Sequence, residues 1–119
     1  MSQKLKIKTK RVYDDVANND GYRLLVDRIW PRAVSKEDAQ LDEWNKDLAP
    51  SDELRKWFDH DPDKFDEFTK RYKKELKNKQ EDLERIKEMA QDKRVCLLYG
   101  AKDKEHNQAV VLKEVLNAL

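Results

Sequence analysis

Two short runs, Leu24-Leu25-Val26 and Val95-Cys96-Leu97-Leu98-Tyr99, most constrain what this chain can fold into. Neither alternates polar with apolar. A strand that is apolar at every position buries both faces, the pattern of interior strands in a parallel sheet covered by helices. The N-terminal stretch is different: Leu5, Ile7 and Thr9 alternate with Lys4, Lys6, Lys8 and Lys10. That period of two marks a half-exposed strand, with lysines guarding a sheet edge. A basic arm for phosphates is the other reading of the same lysines.

Local signals set the remaining elements. Asn18-Asn19-Asp20-Gly21 is turn chemistry, with Gly21 free to adopt positive φ, and the strand Tyr22–Asp27 follows. Ser35 caps a short helical turn through Ala39, and Glu43-Trp44-Asn45-Lys46 reads as a short third strand. Ser51 caps a helix whose inner face carries Leu54, Trp57 and Phe58; Asp61-Pro62 opens another, with Phe65, Phe68, Tyr72 and Leu76 at steps of three and four. Leu83, Ile86, Met89 and Ala90 mark a further helix, with Asn78-Lys79 the expected break and one long helix the alternative, since neither Gly nor Pro interrupts the run. The last helix starts near Asn107 and is expected to bury Val110, Val111, Leu112, Val115, Leu116 and Leu119. The expectation is an α/β fold, a small mostly parallel sheet of about three to four strands packed with about four to five helices, with residues 1–119 as one domain.

Composition narrows the function classes. Charged residues make up 43% of the chain, yet they balance to a net +1. A nucleic-acid-binding domain usually shows a basic excess, with a pI above about 9, so bulk nucleic-acid binding is not expected. No apolar run approaches the roughly 18 residues of a membrane helix, and no apolar secretion-signal stretch opens the chain. One cysteine forms no internal disulfide and fits a reducing cytoplasm, the expected location. Cys96 lies within an apolar strand and is expected to be buried and inert. The two glycines, Gly21 and Gly100, are too far apart to build a nucleotide cradle, and the cysteine count excludes multi-cysteine zinc sites. Neither a cofactor nor a metal is expected, Asp59-His60-Asp61-Pro62-Asp63 being read as a cap with solvated neighbours.

The candidate site lies where the first interior strand ends. Asp27, Arg28 and Arg32 follow its apolar run at once, with Trp30 and Pro31 stiffening the turn between them. If both apolar strands are interior and parallel, ligands belong in the crevice at their carboxyl ends. The helix start at Ser51 would join there, and the last strand would bring Tyr99, Lys102, His106 and Asn107. Cations and helix N-termini favour an anion bearing phosphate or carboxylate. The competing reading is structural, with Asp27 paired to Arg28 or Arg32 and Trp30 capping the core. Arg23 lies outside this cluster.

Three blocks, Gly21 to Arg32, Leu41 to Ser51 and Leu97 to Asp103, carry a family resemblance. Together and in this order they resemble the YeaO-like branch of the family named domain of unknown function 488, over nearly the whole chain. The resemblance implies little about activity, since that family is itself uncharacterised. Other branches carry a Cys-His-Arg step after the last strand; the aligned positions here are Asn107, Gln108 and Ala109, so no thiol chemistry transfers. Two function classes remain. One is an enzyme or binding protein for a small anion; the other is a regulatory or interaction module, since members of this branch are sometimes labelled MarR-like transcription factors. A helix-turn-helix regulator should be mainly helical with a basic recognition helix, which two core strands and balanced charge do not match.

Overall fold

The computed structural model describes residues 5–119. Four strands, β1 (Ile7–Arg11), β2 (Tyr22–Leu25), β3 (Glu43–Trp44) and β4 (Val95–Tyr99), form one sheet in the order β1-β4-β2-β3. Every neighbouring pair is parallel. The apolar runs supply the two interior strands, with Leu24 beside Leu97 and Leu25 beside Leu98. Among the described residues, five α-helices complete the fold: α1 (Lys36–Ala39), α2 (Asp52–Phe58), α3 (Phe65–Leu76), α4 (Gln80–Asp92) and α5 (Gln108–Ala118).

Alternation along β4 explains its unbroken apolar character. Val95, Leu97 and Tyr99 join the larger core, with Leu24, Val26 and the inner faces of the helices, including Phe58, Phe68, Tyr72, Ile86 and Leu112. Cys96 and Leu98 face the other way, into a smaller cluster with Val12, Leu25 and Ala39, roofed by Trp30, Val34, Leu41 and Trp44.

 Ala39, the last residue of α1, is fully buried there. Burying each large apolar side chain contributes roughly 1.5–3 kcal/mol, and the aromatic stack of Phe58 on Phe68, with centroids 4.2 Å apart, adds to it. Cys96 is buried, and burial pushes its thiol above the ordinary range.

The expected caps form. Ser35 accepts from the Asp38 N–H at 3.0 Å, Ser51 from Leu54 at 3.2 Å and Asp61 from Asp63 at 3.0 Å; Asn107, the expected start of the last helix, also caps it, accepting from Val110 at 3.1 Å. Helix α3 ends at Leu76 and α4 begins at Gln80, the expected break. Gly21 adopts φ 73°, and a Cβ there would lie 2.3 Å from the Arg94 carbonyl oxygen. Three details differ from expectation. Strand β2 ends at Leu25 rather than Asp27, although Val26 still donates to the Leu98 carbonyl at 3.0 Å. Val110 and Val115 are only partly buried. Leu119, expected to be buried, follows the end of α5 at Ala118 and is 37% exposed.

One face of the sheet also holds a charged knot at the amino-terminal side of β2. Asp20, buried, receives Lys8 at 2.6 Å, Lys10 at 3.1 Å and the guanidinium of Arg23. Burial alone would raise this carboxyl, but hydrogen bonds from Lys8, the Ala17 N–H and Lys10 outweigh it and hold Asp20 well below the usual carboxylate range. Arg23 spends its other donors on the carbonyls of Ala39 and Gln40. The β1 lysines therefore do more than guard an edge: Lys8 and Lys10 are ion-pair partners. Lys4 lies outside the described residues.

Candidate functional site

The carboxyl ends of β2 and β4 open onto a cavity of about 740 Å³. Three segments supply its charged groups: the loop after β2 (Asp27, Arg28, Arg32), helix α2 with the turn after it (Arg55, His60) and the loop between β4 and α5 (Lys102, Asp103, His106). Trp30, Phe58 and Phe68 give it an apolar wall.

The loop after β2 is held by two indoles. Trp44 Nε1 donates to the Asp27 carbonyl at 2.7 Å, and Trp30 Nε1 to the Val34 carbonyl at 2.7 Å. Their rings meet edge to face, 5.2 Å between centroids. From the other side, the Tyr13 hydroxyl donates to the Arg32 carbonyl at 2.9 Å, while Arg11 Nε donates to the Ala101 carbonyl at 2.9 Å. Arg11 also lies over the Tyr13 ring, so the end of β1 braces both loops at the cavity rim.

Asp27 is not paired with either neighbouring arginine. Its carboxylate accepts from the Gly100 N–H at 2.8 Å and from the Gln108 side-chain amide. Burial pushes its carboxyl up to about 6, against the opposing pull of those two hydrogen bonds. Arg28 instead donates through Nε to the Pro50 carbonyl at 2.8 Å. Among the described residues, no ion pair engages Arg28, Arg32 or Lys102. Arg55 makes a long, exposed contact with Asp52 at 3.4 Å, and its Nε is buried without a hydrogen-bond partner. An unmet buried donor of this kind costs about 1–3 kcal/mol.

His106 is oriented by Asp103, with Nδ1 2.9 Å from Oδ2. Asp103 also accepts from the backbone N–H of Glu105 and of His106, and these bonds, the Glu105 one foremost, lower its carboxyl below the ordinary range. His60 follows Asp59 in a pair of left-handed residues (φ 47° and 56°) that ends α2. Such backbone is uncommon outside glycine, asparagine and aspartate.

Seven of the nine sequence-selected residues line this cavity: Asp27, Arg28, Trp30, Arg32, Lys102, His106 and Asn107. Ser51 does not. Its N–H and Oγ donate to Glu75 at 2.9 and 2.6 Å, and it lines a separate cavity of about 260 Å³ that Arg28 also borders. Tyr99 is buried in the core beneath the site. Asn107 takes part as a cap, its amide donating to the Asp103 carbonyl at 2.9 Å while its oxygen accepts from Val110. Sequence reasoning missed Tyr13, Arg55 and Gln108. Arg55 alone carried a usable signal, since it sits one position from the inner-face residue Leu54.

The chain belongs to the domain of unknown function 488 family. Residues 6–119 match the family model described as the inactive DUF488-N3 subclade. The chain is 42% identical over 115 residues to the uncharacterised protein YeaO of Escherichia coli K12, covering 97% of this chain and all of that one, 100%. It is 38% identical over 117 residues to the uncharacterised proteins Rv3073c of Mycobacterium tuberculosis and Mb3100c of Mycobacterium bovis, covering 98% of each chain. No solved structure matches it significantly. Asn107 serves as a helix cap and Gln108 as a partner of Asp27. No helix among the described residues is long and apolar enough to cross a membrane.

Proposed function

We propose that this domain binds a small anionic ligand, bearing phosphate or carboxylate, in the cavity at the carboxyl ends of β2 and β4. The observation that carries the reading is the arrangement of positive charge. Arg28, Arg32, Arg55 and Lys102, from three separate segments, border one cavity, against only two carboxylates, Asp27 and Asp103. In a folded protein, cations gathered around a concave surface draw in anions, and each charge-assisted hydrogen bond contributes roughly 1.5–3 kcal/mol. The cavity falls within the approximate 300–1,000 Å³ range of small-molecule sites, and its aromatic wall suits an organic body attached to the anion.

The test is thermal denaturation with increasing sodium phosphate at constant ionic strength. A ligand at about 100 times its dissociation constant stabilises the fold by about 2.7 kcal/mol, a rise of several degrees. Arg32→Ala and Lys102→Ala are expected to abolish the rise, and Lys77→Ala, exposed beyond the end of α3, to preserve it. An unchanged rise in both cavity variants would refute the assignment. The regulatory alternative predicts instead retention on DNA at moderate salt that falls steeply as salt is added.

A further inference from the structure

Asp27 is the anomaly of this cavity. A carboxylate facing a bound anion repels it unless a hydrogen lies between them. Asp27 has not been neutralised by the cations around it; both its oxygens accept only from neutral donors, the Gly100 N–H and the Gln108 amide. Each oxygen keeps an unused lone pair, because an ionised carboxylate offers about four acceptor positions. The close approach is fixed by the backbone, since a Cβ on Gly100 would stand 2.8 Å from Asp27 Oδ2.

We infer that the cavity selects oxyanions that carry a hydrogen of their own, as hydrogenphosphate does, and disfavours fully ionised ones such as sulfate. The anion's hydrogen donates to Asp27 while its remaining oxygens meet Arg28, Arg32 and Lys102. This inference rests on the anion-binding reading and specifies which anion. Hydrogenphosphate and sulfate are both tetrahedral and, near pH 8, both doubly charged; the hydrogen separates them. Sulfate enters only when Asp27 itself takes up a proton. With burial pushing that carboxyl up to about 6, the uptake costs about 100-fold in affinity two pH units higher.

Other groups near Asp27 do not supply the difference. The Tyr72 hydroxyl is engaged with the Leu48 carbonyl, and burial raises it far above neutrality. His60, His106, Asp103 and the cavity cations act on both anions, so at pH 8, where the two charges are equal, the ratio of the affinities isolates the hydrogen.

The experiment is calorimetric titration of the wild-type protein with sodium phosphate and sodium sulfate at matched ionic strength, at pH 8, 7 and 5.5. Phosphate is expected to bind about 100-fold more tightly at pH 8, with the ratio shrinking toward one by pH 5.5. Asp27→Asn, whose amide can donate to either anion, is expected to bring the ratio near one at every pH. Should that variant not fold, the wild-type ratio at pH 8, where both anions are doubly charged, decides by itself. Phenyl phosphate, added at pH 5.5 where it keeps its hydrogen, separates the two sources of the group. Tighter binding than inorganic phosphate points to a phosphomonoester seated against Trp30, Phe58 and Phe68; no gain points to the free ion. Equal affinities for phosphate and sulfate in the wild type at pH 8 overturn this inference and leave the anion site standing. Binding of neither ion overturns the anion site itself.

Discussion

The two ends of β2 carry the same kinds of residue and use them in opposite ways. At its start, Asp20, Arg23, Lys8 and Lys10 close on one another, so that buried charge is met by opposite charge and by backbone carbonyls. At its end, Asp27 is met by neutral N–H groups, and the cations beside it face a cavity. The difference teaches that a charged cluster is structural when its members satisfy each other, and is available for a ligand when they do not. Composition and spacing are similar at both ends; only the pairing distinguishes them.

The largest effect should come from breaking the closed cluster. Arg23→Ala removes a buried guanidinium that serves Asp20 and the Ala39 and Gln40 carbonyls, and is expected to cost about 3–5 kcal/mol in chemical denaturation. A loss below about 1 kcal/mol would mean that Lys8 and Lys10 carry the cluster without it.

An intermediate effect is expected at Asp27, with the opposite sign. Its folded value is raised from 3.8 to about 6, so the folded state holds more protons than the unfolded state across that window. Stability therefore falls as pH rises from about 4 through 6, and the full penalty stands above it. Asp27→Asn lacks this titration. It should be more stable than the wild type by about 1–3 kcal/mol at pH 8, with the gap narrowing toward pH 4, in paired urea melts. A gap that widens on acidification would contradict the sign. The Asp20 contribution, from a depressed carboxyl, is present in both proteins and is lost only in strong acid.

The smallest effect on stability belongs to Arg32, which is exposed and lends only its backbone carbonyl to Tyr13. Arg32→Ala should stay within about 0.5 kcal/mol of the wild type in the same melts while losing its response to phosphate. Together with Arg23→Ala, it separates the two clusters: one arginine matters to the fold, the other to the ligand.

Much of the fold was legible because its signals are local. The interior strands announce themselves by apolar runs, and Ser35, Ser51, Asp61 and Asn107 by cap chemistry that depends on neighbours within three residues. The site was legible only in part. Asp27 and Arg28 are adjacent in sequence, which suggests a pair, yet they diverge to Gly100 and to Pro50. Gln108 reaches Asp27 across the chain, and Tyr13 braces Arg32 because β1 lies beside β4. Those contacts follow from strand order, which no local spacing encodes. Ser51 fails for the converse reason: its cap was visible, but the Glu75 that claims its remaining donors lies on another helix.

The strand order has a kinetic consequence. β4 lies between β1 and β2, and among the described residues β1 has no other partner in the sheet, yet β4 follows both by some seventy to ninety residues of chain. Until it is placed, β1 has nothing to bond and β2 only the two-residue β3. Closing such long loops costs entropy before any strand contact repays it, which makes parallel, non-local sheets slow to form. During synthesis, the first half of this chain should therefore emerge as an unpaired edge with helices, and become a sheet in one late step when β4 slots between its neighbours. The cavity at the strand ends comes into being in that same step, because Asp27 finds Gly100 and Gln108 only once the last strand and helix have arrived.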